Sequence, residues 1–366
     1  MTKLVFENAA FAEMVRRLDR IVPKKGEAFD KAHGVLFEIT PGVDWGVLSR
    51  ATNLDVYYME WSTPLSSEGE PIAWRVHGPM LSSVIGALPI GSGKSVTLEN
   101  VGDKLHITSG RVKARIALLD PRNYPRWEPF NPEGIMPVPM LGQRIEQVAW
   151  AASKDQEMLM GIHFDGKQLV ATDRYRLVRV PVEAPQIFRP VTVPAGILAP
   201  VLKQMTDTAI GIVDGQLVFM PNPYTQIRCA IFDGQYPPVE RVMARDHGYH
   251  LAFDRGPFVD AMNRVMSLNS DRMPSMKVAI GNEEVAFYIK GNDEDILDVL
   301  EYPGQAVHEP YVVHLTPRNL LDAIQNSPAD RINLHYDPTA PTKVLYLQGG
   351  DSYESWIVPR MGGGDA

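Results

Sequence analysis

The sequence contains a single cysteine, Cys229, and no apolar run that approaches the roughly 20 residues needed to span a bilayer. One cysteine excludes an internal disulfide. The stretch 227–231 alternates like a strand and offers no activating partner, so we interpret Cys229 as a small strand residue and not as a catalytic thiol. A charge interrupts the N-terminal segment before any apolar run develops, which disfavours a signal peptide. We therefore expect a soluble, cytoplasmic protein that does not associate with membranes.

An excess of positive charge is also missing, because 36 Lys and Arg residues stand against 44 Asp and Glu, a formal charge of −8. This balance excludes a protein that grips nucleic acid over its whole surface. It is compatible with a chain that presents a few basic residues on one face of an otherwise acidic body.

Signatures of catalysis and of cofactor binding are lacking as well. The segment 91–95 fails the phosphate-loop pattern, since Leu88 stands where the first glycine belongs and strand-like sequence follows in place of a helix. The two histidines of the segment 246–250 are too few for a closed metal site, and we interpret that segment as a domain linker. Residues 308–312 begin like a zinc-protease helix, but Pro310 breaks it and Val312 replaces the second histidine. We expect no enzymatic activity, no cofactor and no metal.

What dominates the sequence is a threefold internal repeat. An extended lead-in followed by a helix-like stretch recurs at residues 76–85, 193–202 and 315–324, spaced 117 and 122 residues apart. The stretches 51–55 and 171–175 are likewise 120 residues apart. Since 366 residues are also too many for one ordinary domain, we predict three domains, at 1–128, 129–244 and 245–366.

Each repeat opens with an amphipathic helix, which is followed by short alternating runs between turn residues. The apolar stripe of the first helix is formed by Phe11, Met14, Val15, Leu18 and Ile21. That of the third is formed by Phe258, Met262, Val265 and Leu268. The pattern predicts an α+β fold in which helices pack on one face of antiparallel sheet. A duplicated domain of this length often assembles around a symmetry axis.

Several motifs resemble the beta sliding clamps of bacterial DNA polymerase III. Residues 170–177 (VATDRYRL) are similar to that family's Ala-Thr-Asp-Gly-His-Arg-Leu signature, and residues 357–361 (IVPRM) to its Val-Met-Pro-Met ending. Further similarities lie at 192–194, 233–237 and 258–270, in the family's order and spacing. The resemblance implies the DNA clamp fold: three similar domains of antiparallel sheet with paired helices, and a head-to-tail homodimer that forms a six-domain ring.

The resemblance implies that a thin basic lining of such a ring faces double-stranded DNA. A clamp must not bind DNA tightly, because each neutralised phosphate adds a salt-dependent grip that opposes sliding. Each of these residues is equally compatible with an ordinary solvated surface charge. The predicted DNA-facing residues are Arg16, Arg17, Arg20, Lys24, Lys25, Arg144, Lys203, Arg264 and Arg318.

The resemblance also implies a pocket between the second and third domains that binds short peptide motifs of the polymerase, the clamp loader and repair proteins. Arg174, Tyr175 and Arg360 depart from the family's usual residues, which indicates a pocket narrowed or recharged for its own polymerase, as in a divergent or phage-encoded clamp. The predicted pocket residues are Leu159, Thr172, Arg174, Tyr175, Arg176, Leu177, Pro237, Arg241, Val242, Val344, Val358, Pro359, Arg360 and Met361.

By motif position, Ile116 and Leu268 are the predicted apolar contributors to the dimer contact, and either is equally compatible with an intradomain core. Two alternative functions stay open at this point. One is a clamp-like adaptor or decoy that binds partner peptides without a closed ring, and the other is a repeat-built enzyme of unknown chemistry. A trimeric ring of two-domain subunits is disfavoured because the chain contains three repeats.

Overall fold

The fold is seen in a computed structural model, which describes residues 1–24, 31–89, 93–184, 189–203, 205, 207–268, 274–281, 283–290, 295–302 and 309–360. The chain divides into two compact units: residues 1–142 with 197–231, and residues 143–196 with 232–366. The helices of the described part are α1 (Asn8–Ile21), α2 (Gly78–Gly86), α3 (Leu141–Ala149), α4 (Ala195–Leu202), α5 (Arg255–Ser267) and α6 (Pro317–Gln325). A 3-10 turn occupies Glu157–Met160.

All strand pairs of the described residues are antiparallel. The strands are β1 (Lys3–Glu7), β2 (Val35–Ile39), β3 (Val47–Thr52), β4 (Val56–Ser62), β5 (Ser66–Glu68), β6 (Ile72–Val76), β7 (Ser95–Val101), β8 (Lys104–Ser109), β9 (Val112–Leu119), β10 (Met136–Val138), β11 (Gly161–Phe164), β12 (Gln168–Thr172), β13 (Arg176–Pro181), β14 (Val191–Pro194), β15 (Thr208–Val213), β16 (Gln216–Asn222), β17 (Thr225–Cys229), β18 (Tyr249–Asp254), β19 (Met276–Gly281), β20 (Glu284–Lys290), β21 (Asp295–Glu301), β22 (Tyr311–Leu315), β23 (Arg331–Tyr336), β24 (Leu345–Gln348) and β25 (Glu354–Ile357).

The first unit is built on one sheet of thirteen strands, in the order β10-β15-β16-β17-β4-β3-β2-β6-β9-β8-β7-β1-β5. The second unit contains an eight-stranded sheet, β14-β11-β12-β13-β25-β24-β23-β18, and a four-stranded sheet, β21-β20-β19-β22. Helices α1 and α2 pack together in the first unit, as α5 and α6 do in the second. The predicted α+β design of antiparallel sheet with paired helices is confirmed.

Both large sheets continue across predicted domain boundaries by the same kind of strand pair. In the first unit β17 of the second repeat pairs with β4 of the first, with Cys229 opposite Val56. In the second unit β25 of the third repeat pairs with β13 of the second, with Ile357 opposite Arg176. Successive repeats are therefore joined by the last strand of one repeat lying beside an internal strand of the preceding one.

The apolar stripe predicted for α1 lies in the core, since Phe11, Met14, Val15, Leu18 and Ile21 are all buried. Each such side chain stabilises the fold by about 1.5–3 kcal/mol relative to its exposed state. Exposed arginines cover the opposite side of the same helix, as an amphipathic period requires.

The stripe predicted for the third repeat is wrong at its last position. Phe258, Met262 and Val265 are buried, and Phe258 stacks on Phe253 with ring centroids 4.0 Å apart. Leu268, however, is 61% exposed, because α5 ends at Ser267 and Leu268 is only its C-terminal cap. The helical period therefore no longer directs its side chain into the core.

Candidate functional site

Four of the predicted DNA-facing residues carry exposed side chains in the first unit: Arg16, Arg20, Lys24 and Lys203. The guanidinium of Arg20 donates a hydrogen bond of 2.5 Å to the carbonyl oxygen of Pro200, which lies within α4. This bond brings the end of α4, and with it Lys203, to the flank of α1. The first unit thus presents basic residues from two repeats side by side, while Lys25 lies outside the described residues.

The structure gives Arg17 a different role from the one that the sequence predicted. Its guanidinium lies 2.7 Å from Glu60 on β4 and 2.8 Å from Glu13, and it also donates to the hydroxyl of Tyr58. Burial alone would lower the pKa of Arg17, but Tyr58 and Glu60 outweigh burial and raise it above its usual value. Arg17 therefore links helix α1 to strand β4 through an ion pair, and we assign it to stabilising the fold and not to contacting DNA.

The second unit carries three more of these residues. Arg264 on α5 is exposed and lies 2.7 Å from Asp298 of β21, and Arg318 on α6 is exposed and lies 2.8 Å from Asp322. Arg144 on α3 is half-buried. The two arginine side chains are 57% and 64% exposed, whereas the carboxylates of Asp298 and Asp322 are 20% and 10% exposed, so each arginine can also reach an anion in solvent.

The hairpin between β12 and β13 forms one rim of the predicted peptide pocket. The carboxylate of Asp173 accepts hydrogen bonds from the backbone N–H groups of Tyr175 and Arg176, at 3.0 and 3.1 Å. This turn places Arg174 at φ 78°, a left-handed conformation that glycine adopts more readily. It also leaves the ring of Tyr175 65% exposed. Thr172 fixes the same turn by donating to the carbonyl of Arg176.

Beside this hairpin lies a buried apolar cluster that includes two of the predicted pocket residues, Leu159 and Leu177. Half-buried Val344 packs against it, and the backbone N–H of Val358 donates to the carbonyl of Tyr175 at 2.9 Å. Pro237, Arg241 and Val242 are exposed beside the cluster, and Pro359 is half-exposed. The members of this cluster that sequence reasoning missed are mostly aromatic or sulfur-containing: Met158, Val170, Tyr236, Val239, Met243, Tyr346 and Trp356.

Arg176 was predicted to contact peptide, but its side chain is committed to the protein. Its guanidinium donates to Asp173, to Asp322 on α6 at 2.6 Å and to the carbonyl of Trp150, and it stacks over the ring of Trp150. The three bonds use all its nitrogens, so we assign Arg176 to positioning the rim.

Arg360 also bonds to its own chain. It donates from its backbone to the carbonyl of His314 at 2.7 Å and from its side chain to the carbonyl of Pro274. These bonds fix the chain just after β25 beside β22 of the four-stranded sheet. Met361 lies outside the described residues.

Residues 244–247 lie as a strap over the eight-stranded sheet. They overlap the segment 246–250, which we interpreted from sequence as a domain linker and whose last two residues are the first two of β18 (Tyr249–Asp254). The indole N–H of Trp356 donates to the carbonyl of Ala244 at 2.9 Å. Arg245 lies 2.7 Å from Glu354, and a ring nitrogen of His247 lies 2.7 Å from the carbonyl of Val344. The strap therefore holds the strands that carry the pocket floor.

Under the strap, a row of rings crosses the sheet through directly paired residues: His250, His335, Tyr346 and Trp356. The rings of His335 and Tyr346 are 4.9 Å apart and stacked. Burial, followed by the nearby His250 and His247, lowers the pKa of His335 to about 4. This histidine is therefore neutral at physiological pH.

Strands β9 and β21 offer edges that no strand of the described part of the chain covers. Over residues 112–117, β9 pairs only with β8, because β6 pairs only with Leu118 and Leu119. Strand β21 is an edge of the four-stranded sheet, and its Leu297 is 62% exposed.

Of the two predicted interface residues, Leu268 exposes apolar surface that a partner subunit could cover. Ile116 on β9 is only 2% exposed, so its position is that of the intradomain alternative, and its role in a dimer contact stays a prediction.

Within the described residues, no three His, Cys, Asp or Glu side chains are grouped so that they could hold a metal ion. The part of the chain that the structure describes also has no helix long and apolar enough to cross a membrane.

No family model matches the chain. It is 22% identical to the beta sliding clamp of Caulobacter vibrioides over an aligned length of 366. The alignment covers 94% of this chain and 95% of that protein. It is 23% identical to the beta sliding clamp of Synechococcus elongatus over 297 residues, 73% of this chain and 78% of that one.

Solved structures show the same fold. The DNA polymerase III beta subunit of Thermotoga maritima superimposes with a TM-score of 0.82 at 19% identity, over 99% of this chain and 100% of that one. The sliding clamp of Bartonella birtlesii bound to griselimycin superimposes with a TM-score of 0.80 at 20% identity, with the same coverage. The predicted DNA clamp fold of the single chain is confirmed, and the head-to-tail homodimer stays a prediction.

Proposed function

We propose that this chain, a divergent member of the beta sliding clamp family of bacterial DNA polymerase III, is a DNA sliding clamp. It encircles double-stranded DNA without sequence preference and tethers the replicative polymerase, the clamp loader and repair proteins. It acts in the cytoplasm as a processivity factor and not as an enzyme. The closed ring keeps it on DNA by topology. Its three domains occupy residues 1–128, 129–244 and 245–366.

The observation that carries this proposal is the repeated junction between repeats. Strand β17 pairs with β4 and β25 pairs with β13, both antiparallel and both between consecutive repeats. In the third repeat, the strand that corresponds to β4 and β13 is β21. In the first repeat, the last strand, which corresponds to β17 and β25, is β9. A third junction of the same kind would pair β21 with β9 of a second copy, and two such contacts close a head-to-tail homodimer into a ring.

The chemistry of the two edges supports this pairing. Strand β9 and the turn before it carry the exposed bases Arg111, Lys113 and Arg115. Strand β21 carries the exposed acids Asp295 and Glu301 on the same face as exposed Leu297 and Val299. An exposed apolar edge strand is a template for pairing with another chain, and opposite charges fix which chain it accepts. Leu268 lies on the same repeat and adds apolar surface to this contact.

The basic residues proposed to face DNA are Arg16, Arg20, Lys24, Lys25, Arg144, Lys203, Arg264 and Arg318. Arg16, Arg20, Arg144, Arg264 and Arg318 lie on four different helices, and Lys24 and Lys203 follow the ends of α1 and α4, so the acidic chain presents single charges instead of one dense patch. A sparse lining neutralises few phosphates at a time, which suits a protein that must slide.

The partner site proposed is the pocket under Tyr175. It combines an apolar floor with an exposed aromatic ring and two exposed arginines, Arg174 and Arg241. Such a surface binds an extended peptide through aliphatic or aromatic anchors.

Negative-stain imaging of the purified protein at micromolar concentration tests the function. Closed rings of two subunits, with a hole wide enough for duplex DNA, are the expected result. Compact monomers that still bind partner peptides would overturn the clamp and favour the adaptor or decoy that lacks a closed ring.

A further inference from the structure

Asp322 on α6 shares its carboxylate between two arginines of different predicted surfaces. One oxygen, Oδ2, accepts from the guanidinium of Arg176 at 2.6 Å, and the other, Oδ1, lies 2.8 Å from Nε of Arg318. Arg176 fixes the rim of the peptide pocket, and Arg318 is one turn away from Asp322 on the exposed side of the helix. A single buried carboxylate thus contacts both the pocket rim and the basic helix face.

The surroundings of Asp322 hold it in place. The side chain is 10% exposed, and the amide of Asn326 donates to its backbone carbonyl. The buried hydroxyl of Tyr353 donates to the carbonyl of the next residue, Ala323, at 2.7 Å. These bonds fix the helix backbone that carries the carboxylate. Because both arginines bond to this one carboxylate, the strength of its bond to one depends on the presence of the other.

The two arginines differ in their freedom to leave. Arg318 is 64% exposed and makes an ion pair within its own helix, which is weak in water. Arg176 is 11% exposed and has two further acceptors besides Asp322. An anion that approaches the helix face therefore removes Arg318 from Asp322 and leaves Arg176 in place.

We propose that Asp322 is a positioning residue that couples the helix face to the peptide pocket, so that a DNA phosphate on Arg318 strengthens the Arg176–Asp322 bond and raises peptide affinity. The coupling rests on the proposed function, which places Arg318 toward DNA. When Arg318 turns to a phosphate, the whole charge of Asp322 acts on Arg176, and the hairpin of Asp173 and Tyr175 is held more firmly. By linkage, bound peptide raises the affinity for duplex by the same factor.

Fluorescence anisotropy of a labelled short peptide with leucine and phenylalanine anchors, with and without a saturating short synthetic duplex at low ionic strength, tests the coupling. The full chain is used throughout. In the wild type, duplex is expected to tighten peptide binding about fivefold, the low end of common allosteric couplings. Arg318→Gln is expected to bind peptide as tightly without duplex as the wild type does with it, and duplex should have no further effect.

Asp322→Asn and a matched control complete the test. Asp322→Asn should bind peptide more weakly than the wild type and should lose the response to duplex. Arg264→Gln also removes an exposed helix arginine, but its carboxylate partner Asp298 lies on β21 and does not contact the pocket rim. It should therefore keep the fivefold response.

Three outcomes distinguish the proposals. A wild-type peptide affinity that ignores bound duplex would overturn the coupling and leave the clamp function intact, as would a full response in Arg318→Gln. Failure of the wild type to bind the peptide, with or without duplex, would overturn the proposed peptide site, and the coupling with it.

Discussion

Arg17 and Glu60 form an ion pair of 2.7 Å between helix α1 and strand β4, with the hydroxyl of Tyr58 bonded to both. Both charged side chains are largely buried, at 17% and 14% exposure. The neighbouring Arg16 on the same helix is exposed. Two adjacent arginines thus have different roles: one fixes the helix to its sheet, and the other is available to a ligand.

Substitution of these two arginines should separate stability from DNA contact. Arg17→Gln leaves Glu60 and Tyr58 short of a charged donor and should lower the free energy of unfolding by about 2 kcal/mol. Arg16→Gln should leave stability within about 0.5 kcal/mol and reduce the salt slope of duplex binding by about 1. Urea unfolding and duplex titrations at several salt concentrations measure both, and equal effects of the two variants would contradict the assignment.

Local periodicity predicted the helices because one buried stripe is enough to define a helix face. The position of Arg17 was not predictable in this way, since its partner Glu60 lies 43 residues away on another element. Leu268 was misplaced because the period cannot show where a helix ends. Asp246 and His247 were interpreted as linker residues because two contacts of the strap that contains them use the backbone carbonyls of Ala244 and Val344, which sequence does not display.

The exposed edge of β21 should determine the oligomeric state. Leu297→Lys places a charge on the face proposed to pair with β9 of a second copy, and we expect monomers at concentrations where the wild type is dimeric. Val312→Lys is the matched control, because Val312 is also an exposed apolar strand residue but lies on β22, at the opposite edge of the same sheet. Sedimentation velocity measures both, and a dimeric Leu297→Lys would contradict the proposed contact.

The ring of Tyr175 should contribute to peptide affinity and little to stability, since it is an exposed aromatic at the mouth of an apolar pocket. Tyr175→Ala is expected to weaken peptide binding about tenfold, a loss of about 1.4 kcal/mol that is typical of an aromatic anchor. Tyr224→Ala removes another exposed aromatic, 41% exposed, from the turn between β16 and β17 and should leave affinity unchanged. Isothermal titration with the same peptide compares them, and unchanged affinity in Tyr175→Ala would exclude this residue from the site.

His335 should make the stability of the chain depend on pH between about 6.5 and about 4, because its pKa is lowered from 6.5 to about 4 in the folded state by burial and by its histidine neighbours. The unfolded chain binds the proton first as the pH falls through this window. The contribution is therefore fully present above pH 6.5 and is lost progressively toward pH 4.

Comparison of variants isolates this contribution from other titrating groups. His335→Gln cannot be protonated, so its free energy of unfolding should fall less steeply than that of the wild type across the window. The charged groups around the ring row are Arg245, Glu354, Lys343 and Asp337, and they are the same in both proteins. His106→Gln on β8 is the control, and a slope of His335→Gln equal to that of the wild type would be the contrary result.

Cys229 should report the opening of the junction between β17 and β4. Its thiol is fully buried opposite Val56, and burial, followed by Asp55, raises its pKa well above the usual value. Alkylation therefore requires the strands to separate.

Near this junction, Gln226 exchanges two hydrogen bonds with the backbone of Phe130, at 2.9 and 3.1 Å. Gln226→Ala leaves that buried N–H and carbonyl unpaired, at a cost of about 1–3 kcal/mol. If the junction opens as a unit, iodoacetamide labelling of Cys229, followed by mass spectrometry, should accelerate about tenfold or more in this variant. Gln168→Ala, on the other large sheet, should label at the wild-type rate, and equal rates in all three proteins would mean that the thiol becomes accessible by a route other than this junction.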